Sequence, residues 1–125
     1  MDLVNLPEVV AEVAAVLERY EDALVNNRTD VLDELFWNDA RTVRLGAGEN
    51  LYGIEAIRQF RLDRPTAGLA RRVVRTEITT FGTDFAVTHR EFTREGSPRP
   101  GRQTQTLVRS SRGWRIVSAH VSTLG

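Results

Sequence analysis

Arg102-Gln103-Thr104-Gln105-Thr106-Leu107-Val108-Arg109, then Ser110-Ser111-Arg112-Gly113, then Trp114-Arg115-Ile116-Val117-Ser118-Ala119-His120-Val121-Ser122, is the stretch that decides the fold. Two runs rich in β-branched and polar residues flank a four-residue turn, the signature of an antiparallel hairpin. Side chains alternate along a strand. One face of the second run therefore reads Trp114, Ile116, Ser118, His120 and Ser122, and the other Arg115, Val117, Ala119 and Val121. In the first run Gln103, Gln105, Leu107 and Arg109 oppose Arg102, Thr104, Thr106 and Val108. A sheet with one wet face shows clean alternation. This hairpin mixes polar and apolar groups on both faces, as expected when one face lines a partly polar cavity and a partner covers part of the other.

Upstream, Ala70–Phe81 and Phe85–Thr93 have the same period of two, joined by Gly82-Thr83-Asp84, and the Gly96–Gly101 loop leads into the hairpin. Before Pro65-Thr66-Ala67-Gly68 the period lengthens. Leu6, Val10, Val13, Leu17, Tyr20 and Leu24 recur every three or four residues, the stripe of an amphipathic helix with Pro7 in its first turn. Asn26-Asn27 ends it, and Thr29-Asp30 caps a short second helix carrying Val31, Leu32, Leu35 and Phe36. Arg41–Leu45 and Asn50–Tyr52 read as strands around Gly46-Ala47-Gly48, and Gly53 opens a third helix with Ile54, Ile57 and Phe60 inward. The order α-α-β-β-α-β-β-β-β describes one α+β domain over residues 1–125, its helices against one face of a curved, mostly antiparallel sheet.

Composition narrows the chemistry. The chain has no cysteine, so disulfides and thiolate nucleophiles or metal ligands are excluded. All 17 basic residues are arginine, which excludes lysine Schiff bases and P-loop phosphate binding. Every cation is permanently charged, suited to gripping carboxylates and not to moving protons. Net charge is zero, yet residues 1–39 carry −8 and residues 40–125 carry +8. Two readings stand: helices and sheet pair by salt bridges, or some arginines line an anion site. Arg58, Arg61, Arg64, Arg71, Arg72 and Arg75 form a basic stretch broken by Asp63, but aromatic residues hardly interleave with it and no nucleic acid partner is expected. No apolar run reaches the roughly 20 residues of a membrane helix. The stretch Met1–Asn5 has no basic start or apolar core of a leader, so the expected location is cytoplasmic.

Tyr20 with Arg19 on the first helix, and Gly113-Trp114-Arg115-Ile116-Val117 followed by His120-Val121-Ser122, resemble the cone-shaped α+β superfamily of nuclear transport factor 2, scytalone dehydratase, ketosteroid isomerase and the polyketide cyclases, a cystatin-like α+β roll. The region from Gly96 to Ser122 also looks like the association domain of calcium/calmodulin-dependent kinase. Within the superfamily the chain is similar to the AtzH-like, or HpxZ-type oxalurate-catabolism, family. The carrying segments are Asn5-Leu6-Pro7, Glu34-Leu35-Phe36-Trp37, Thr42-Val43-Arg44, Gly48-Glu49-Asn50-Leu51-Tyr52-Gly53, Thr79-Thr80-Phe81-Gly82 and Gly101-Arg102-Gln103 with Gln105-Thr106. The resemblance implies a cytosolic homodimer working beside amidases on oxalurate, carboxybiuret and similar ureido acids.

A ketosteroid-isomerase site needs a tyrosine, a carboxylate base and a protonated aspartate. Tyr20 falls at the helix-1 tyrosine, but Arg44 and Leu45 stand where the base belongs, so a steroid-type shuttle is not expected. Arg44 needs a carboxylate: Glu49, or a planar ureido ligand also read by Asn50, Tyr52 and Gln105. His120 is the other candidate for proton transfer, alternatively a structural histidine; Ser118 and Ser122 beside it lack a nucleophile turn. His89 lies about 10 Å from His120 if one strand separates them, too far for one metal. No metal or other cofactor is expected. Arg72 shares a strand face with Val74, Thr76, Ile78 and Thr80 and is a candidate for the pocket, as is Trp37 near the mouth of the cone. The candidates are thus His120 and Tyr20 for catalysis, and Arg44, Glu49, Asn50, Tyr52, Arg72, Gln105 and Trp37 for ligand binding. The rival reading is a non-catalytic accessory subunit or sensor for an amidase, or a structural dimerisation module.

Overall fold

The computed structural model describes residues 3–125; Met1 and Asp2, part of the stretch read for a leader, lie outside the described residues. Helix α1 spans Pro7–Val25, α2 Thr29–Leu35 and α3 Ile54–Asp63. The strands are β1 Val43–Leu45, β2 Asn50–Tyr52, β3 Arg72–Phe81, β4 Phe85–Thr93, β5 Gly101–Ser110 and β6 Gly113–Thr123. One six-stranded sheet runs β2-β1-β6-β5-β4-β3, antiparallel except where β1 meets β6. The expected α+β order is the observed one. The first strand begins later than expected because Arg41 folds back onto Asp39, its backbone N–H and Nε each donating to Oδ1 at 2.8 Å.

Local chemistry sets the elements. With no side-chain cap on α1, the Leu6 carbonyl accepts from both Val9 and Val10 at 3.0 Å, and Glu8 faces the positive end of the dipole. Asn27, at φ 51°, takes the left-handed turn into α2 that asparagine tolerates. The core lies between the helices and the inner sheet face: Val9, Val13, Tyr20, Ala23 and Leu24 of α1, Leu32 and Leu35 of α2, and Ile54 and Ile57 of α3 meet Ala86, Leu107, Trp114, Ile116 and Ala119. Among the described residues no helix is long and apolar enough to cross a membrane.

Two β-bulges set which side chains face inward. In β3, Val73 pairs with Phe92 and Arg75 with Glu91, which leaves Val74 as an extra residue. Between β5 and β6, Thr106 pairs with Ser118 but Leu107 with Ile116, which leaves Val117 extra. An extra residue reverses the alternation beyond it. Trp114 and Ile116 are therefore buried together with Ala119, while Ser118 and His120 are exposed on the opposite face. Likewise Arg72 is exposed, and Arg71, just before β3, turns its side chain inward to 2% exposure. These shifts correct two expectations: that His120 shares a face with Trp114 and Ile116, and that Arg72 shares one with Ile78 and Thr80.

Candidate anion-binding site

Inside the cone, the acidic front of the chain meets its basic remainder. Arg71 grips Glu21 with two bonds of 2.8 Å, Nε to Oε2 and Nη2 to Oε1. Arg90 reaches Glu18 at 3.0 Å and Glu21 at 3.3 Å, and its Nε donates to the Thr76 hydroxyl. Arg61, 3% exposed, donates to Asp33 at 2.9 Å and lies over the Phe36 ring at 4.3 Å. Arg44 donates to Glu49 at 2.9 Å and lies over the Phe60 ring at 5.4 Å. The Glu49 carboxylate sits over Gly46, where a Cβ would collide with it, so this glycine makes room for the pair. Arg71 and Arg90 with Glu18 and Glu21, and Arg61 with Asp33, thus bring part of the acidic front against the basic remainder.

Among the arginines outside these pairs, two have buried guanidinium nitrogens without a hydrogen-bond partner among the described residues. Arg64, at the end of α3, has its Nε and Nη2 buried with no hydrogen-bond partner, and so has the Nε of Arg94, just after β4. Burial, then the repulsion of Arg44, lowers Arg64 from its ordinary value; Tyr20, Arg94 and Glu49 also act on it. Burial, then Arg71, lowers Arg94, with Glu21, Tyr20 and Arg44 also within reach. Arg61 is lowered by burial and held up by Tyr20 and Asp33. Guanidiniums stay protonated under such shifts. Arg44 acts on Arg61, Arg64 and Arg94 alike, so these guanidiniums repel one another. Tyr20 is 4% exposed and packs tilted against Phe36, ring centroids 6.4 Å apart.

The sheet contributes amides to the same inner face. Gln105, 1% exposed, has both Oε1 and Nε2 buried without partners, and Gln103 leaves its Oε1 in the same condition. Buried polar groups are almost always satisfied, and these amides are exceptions among the described residues. Phe92 forms part of the wall. Its ring lies under Arg71 at 4.3 Å and under Arg94 at 4.9 Å, and presses on Gly101, where a Cβ would meet the ring.

Of the residues singled out in the sequence, Tyr20, Arg44, Glu49 and Gln105 belong to this interior or its edge. Asn50 and Tyr52 do not: they point outward on β2, Tyr52 67% exposed, while Leu51 turns in. Trp37 lies under the Arg41 guanidinium at 4.9 Å and lines a groove of about 610 Å³ between α2 and the β5–β6 turn. Arg72 is exposed beside Arg71. His120 opens onto the outer sheet face, in register with Thr104. His89 is in register with Thr104 from the other side, and its Nδ1 lies 2.9 Å from the Thr104 hydroxyl. The two histidines line a trough of about 520 Å³ with Glu77, Glu91 and Arg102, across the sheet from Tyr20.

Sequence reasoning missed Arg61, Arg64, Arg71, Arg94 and Gln103 as inward groups. For Arg61 and Arg64 the signal was present: they follow Ile57 at helical spacings of four and three, continuing the buried stripe of Ile54 and Ile57. For Arg71 the bulge at Val74 hid it.

Chemically, the interior can grip carboxylates and read an amide edge. The described carboxylates nearest to it, Glu21, Asp33 and Glu49, are committed to arginines. Tyr20 is the hydroxyl placed among the cations.

Comparisons with known proteins agree with this architecture. A protein of unknown function of the DUF3225 family from Pectobacterium atrosepticum is 60% identical, with 99% of this chain and 97% of that chain covered and a TM-score of 0.97. A cystatin-like fold protein from Burkholderia xenovorans is 46% identical over 98% of this chain and 96% of that one, TM-score 0.94. A nuclear transport factor 2-like superfamily protein from Salmonella enterica, 20% identical over 94% and 92% with a TM-score of 0.77, shares the fold. No curated protein matches the sequence. The AtzH-like family model matches residues 2–125, and the chain belongs to the AtzH-like family.

Proposed function

We propose that the cone interior binds a small ureido carboxylate, of the oxalurate, carboxybiuret or allophanate kind, and that where the ligand is an N-carboxylate the protein decarboxylates it. The observation that carries this reading is the set of unpartnered buried groups, Arg64, Arg94 and Gln105, facing the interior that holds Tyr20 and Arg44. Guanidiniums match a planar carboxylate, and an amide side chain with both ends free matches the donor and acceptor of a urea.

Decarboxylation suits these groups better than hydrolysis. Hydrolysis asks for a base to activate water, and the histidines stand on the other face of the sheet while the nearby carboxylates are paired. Decarboxylation asks for a proton donor and for cations beside the developing charge. The C–N bond of the N-carboxylate breaks, carbon dioxide leaves, and the bonding electron pair stays on nitrogen. The Tyr20 hydroxyl delivers its proton there and regains one from water. Arg44 and Arg64 spread the charge that collects on the urea oxygen.

The bare, polar outer face with His89 and His120 is where we place a second copy of the chain, in a cytoplasmic homodimer. The same face also suits an amidase if the protein is an accessory subunit, the second reading, which is favoured by Arg44 already being paired with Glu49.

The test is a proton and carbon NMR time course of purified protein with oxalurate, allophanate, carboxybiuret and malonate, repeated with Tyr20→Phe and Arg44→Ala. Turnover lost in both variants supports the decarboxylase. Ligand line broadening without turnover supports the accessory reading. Neither effect overturns both.

A further inference from the structure

Arg94 occupies a boundary. On one side it lines a surface groove of about 390 Å³ with Ala70, Arg71, Arg72, Thr93 and Glu95, three cations against one acid. On the other side its Nε is buried and has no partner among the described residues, and the cations of Arg71 and Arg44 are near enough to repel it. Its neighbour Arg71 is held by Glu21 through both edges, so that guanidinium has little left to offer a ligand. Arg94 has no carboxylate partner among the described residues. What fixes it is the Phe92 ring, 4.9 Å from its Cζ, with Arg71 against the same ring at 4.3 Å. Phe92 itself is 2% exposed and bound in place by Gly101. A flat guanidinium laid on a locked ring loses little freedom when an anion arrives.

We propose that Arg94 is a ligand-binding residue that draws a small carboxylate from the surface groove and holds its outer end, and that Phe92 is its positioning residue. The inference rests on the ligand class read above, but not on any reaction. Basic walls around a groove raise the local concentration of anions, and the guanidinium fork supplies two parallel donors once the ligand is in.

The experiment is titration calorimetry of malonate against wild type, Arg94→Gln, Phe92→Leu and the Arg94→Gln/Phe92→Leu pair, with Arg72→Gln as a surface control and urea unfolding of each. Arg94→Gln is expected to weaken malonate about 10-fold without loss of stability, because an uncompensated buried cation has been removed. Phe92→Leu weakens malonate about 3-fold and adds nothing in the Arg94→Gln background. That non-additivity separates positioning from a structural role, which would lower stability and leave the two effects additive. Unchanged affinity in Arg94→Gln overturns the proposal. So does an equal loss in Arg72→Gln, since diffuse charge would then explain the effect. Binding that depends on Arg44 but not on Arg94 overturns this inference alone. Binding that depends on Arg94 without any turnover of N-carboxylates leaves it standing and removes the decarboxylase. No binding by wild type overturns both.

Discussion

Replacing Gln105 by Met tests the idea that the interior carries polar groups it does not need for folding. Gln105 is 1% exposed, and its Oε1 and Nε2 are both buried without a partner. Leaving a buried amide unsatisfied costs about 1–3 kcal/mol. Methionine has nearly the same length and volume, so the swap opens no large cavity; volume-conserving changes of this kind cost less than about 1.5 kcal/mol. The balance favours the variant by about 1–2 kcal/mol. At the size scaling of small domains, where 1 kcal/mol moves Tm by about 3–5 °C, Tm should rise by about 3–10 °C. Urea unfolding at 25 °C with an unchanged slope would show that the folded state itself has gained. Malonate and oxalurate affinity should fall at least about 10-fold in the same variant, the loss expected when a hydrogen-bonding amide is withdrawn from a buried ligand. A variant destabilised by more than about 1 kcal/mol, with unchanged affinity, would refute the reasoning. Gln105 would then be a structural group with a partner of its own, and the amide half of the ligand reading would fall.

Three further outcomes are expected. Gly101→Ala drives a methyl into the Phe92 ring, and since this contact is with a locked aromatic, the variant should lose about 1–3 kcal/mol in urea unfolding. Burial raises the Glu21 carboxyl, but Arg71 and Arg90 outweigh it and hold the group below the ordinary glutamate value. Its stabilisation is therefore complete above the unfolded value of about 4.3 and is lost as the pH falls through the lower folded value; stability should be level from pH 7 to about 5.5 and drop below about 4. Glu21→Gln should flatten that acid limb and, by leaving buried Arg71 unpaired, cost about 3 kcal/mol at pH 7. His120→Ala removes an exposed side chain across the sheet from Tyr20, so stability should stay within about 0.5 kcal/mol and turnover should be unchanged; a loss of turnover with dimer and fold intact would place the chemistry on the outer face.

Much of the fold was legible because periodicity is a local property. The stripe from Val13 to Leu24 and the breaks at Asn27, Gly53 and Gly82 each depend on a few neighbouring residues, and the element order follows from them. Alternation is unbroken between β4 and β5, with Thr88, Arg90 and Phe92 inward opposite Gln105, Gln103 and Gly101. The site was less legible. Tyr20, Arg44 and Gln105 turn inward, and each lies on an unbroken helix or ladder. Arg72 and His120 were placed on the wrong face, and both lie beyond a bulge.

From its residues alone, this chain declares an α+β domain, the absence of thiol and lysine chemistry, and a separation of acid from base along its length. Local periodicity, turn chemistry and composition suffice for these. Which arginines keep a counter-charge was decided only in three dimensions. Glu21 settles the pairing of Arg71 and Arg90, 50 and 69 residues away, and Asp33 that of Arg61, 28 residues away, while Arg64 and Arg94 keep buried guanidinium nitrogens without a partner among the described residues. Two residues inserted into ladders, Val74 and Val117, decide which side chains face that remainder. Nothing local marks them, because a bulge is a mismatch between two strands and exists only once they pair.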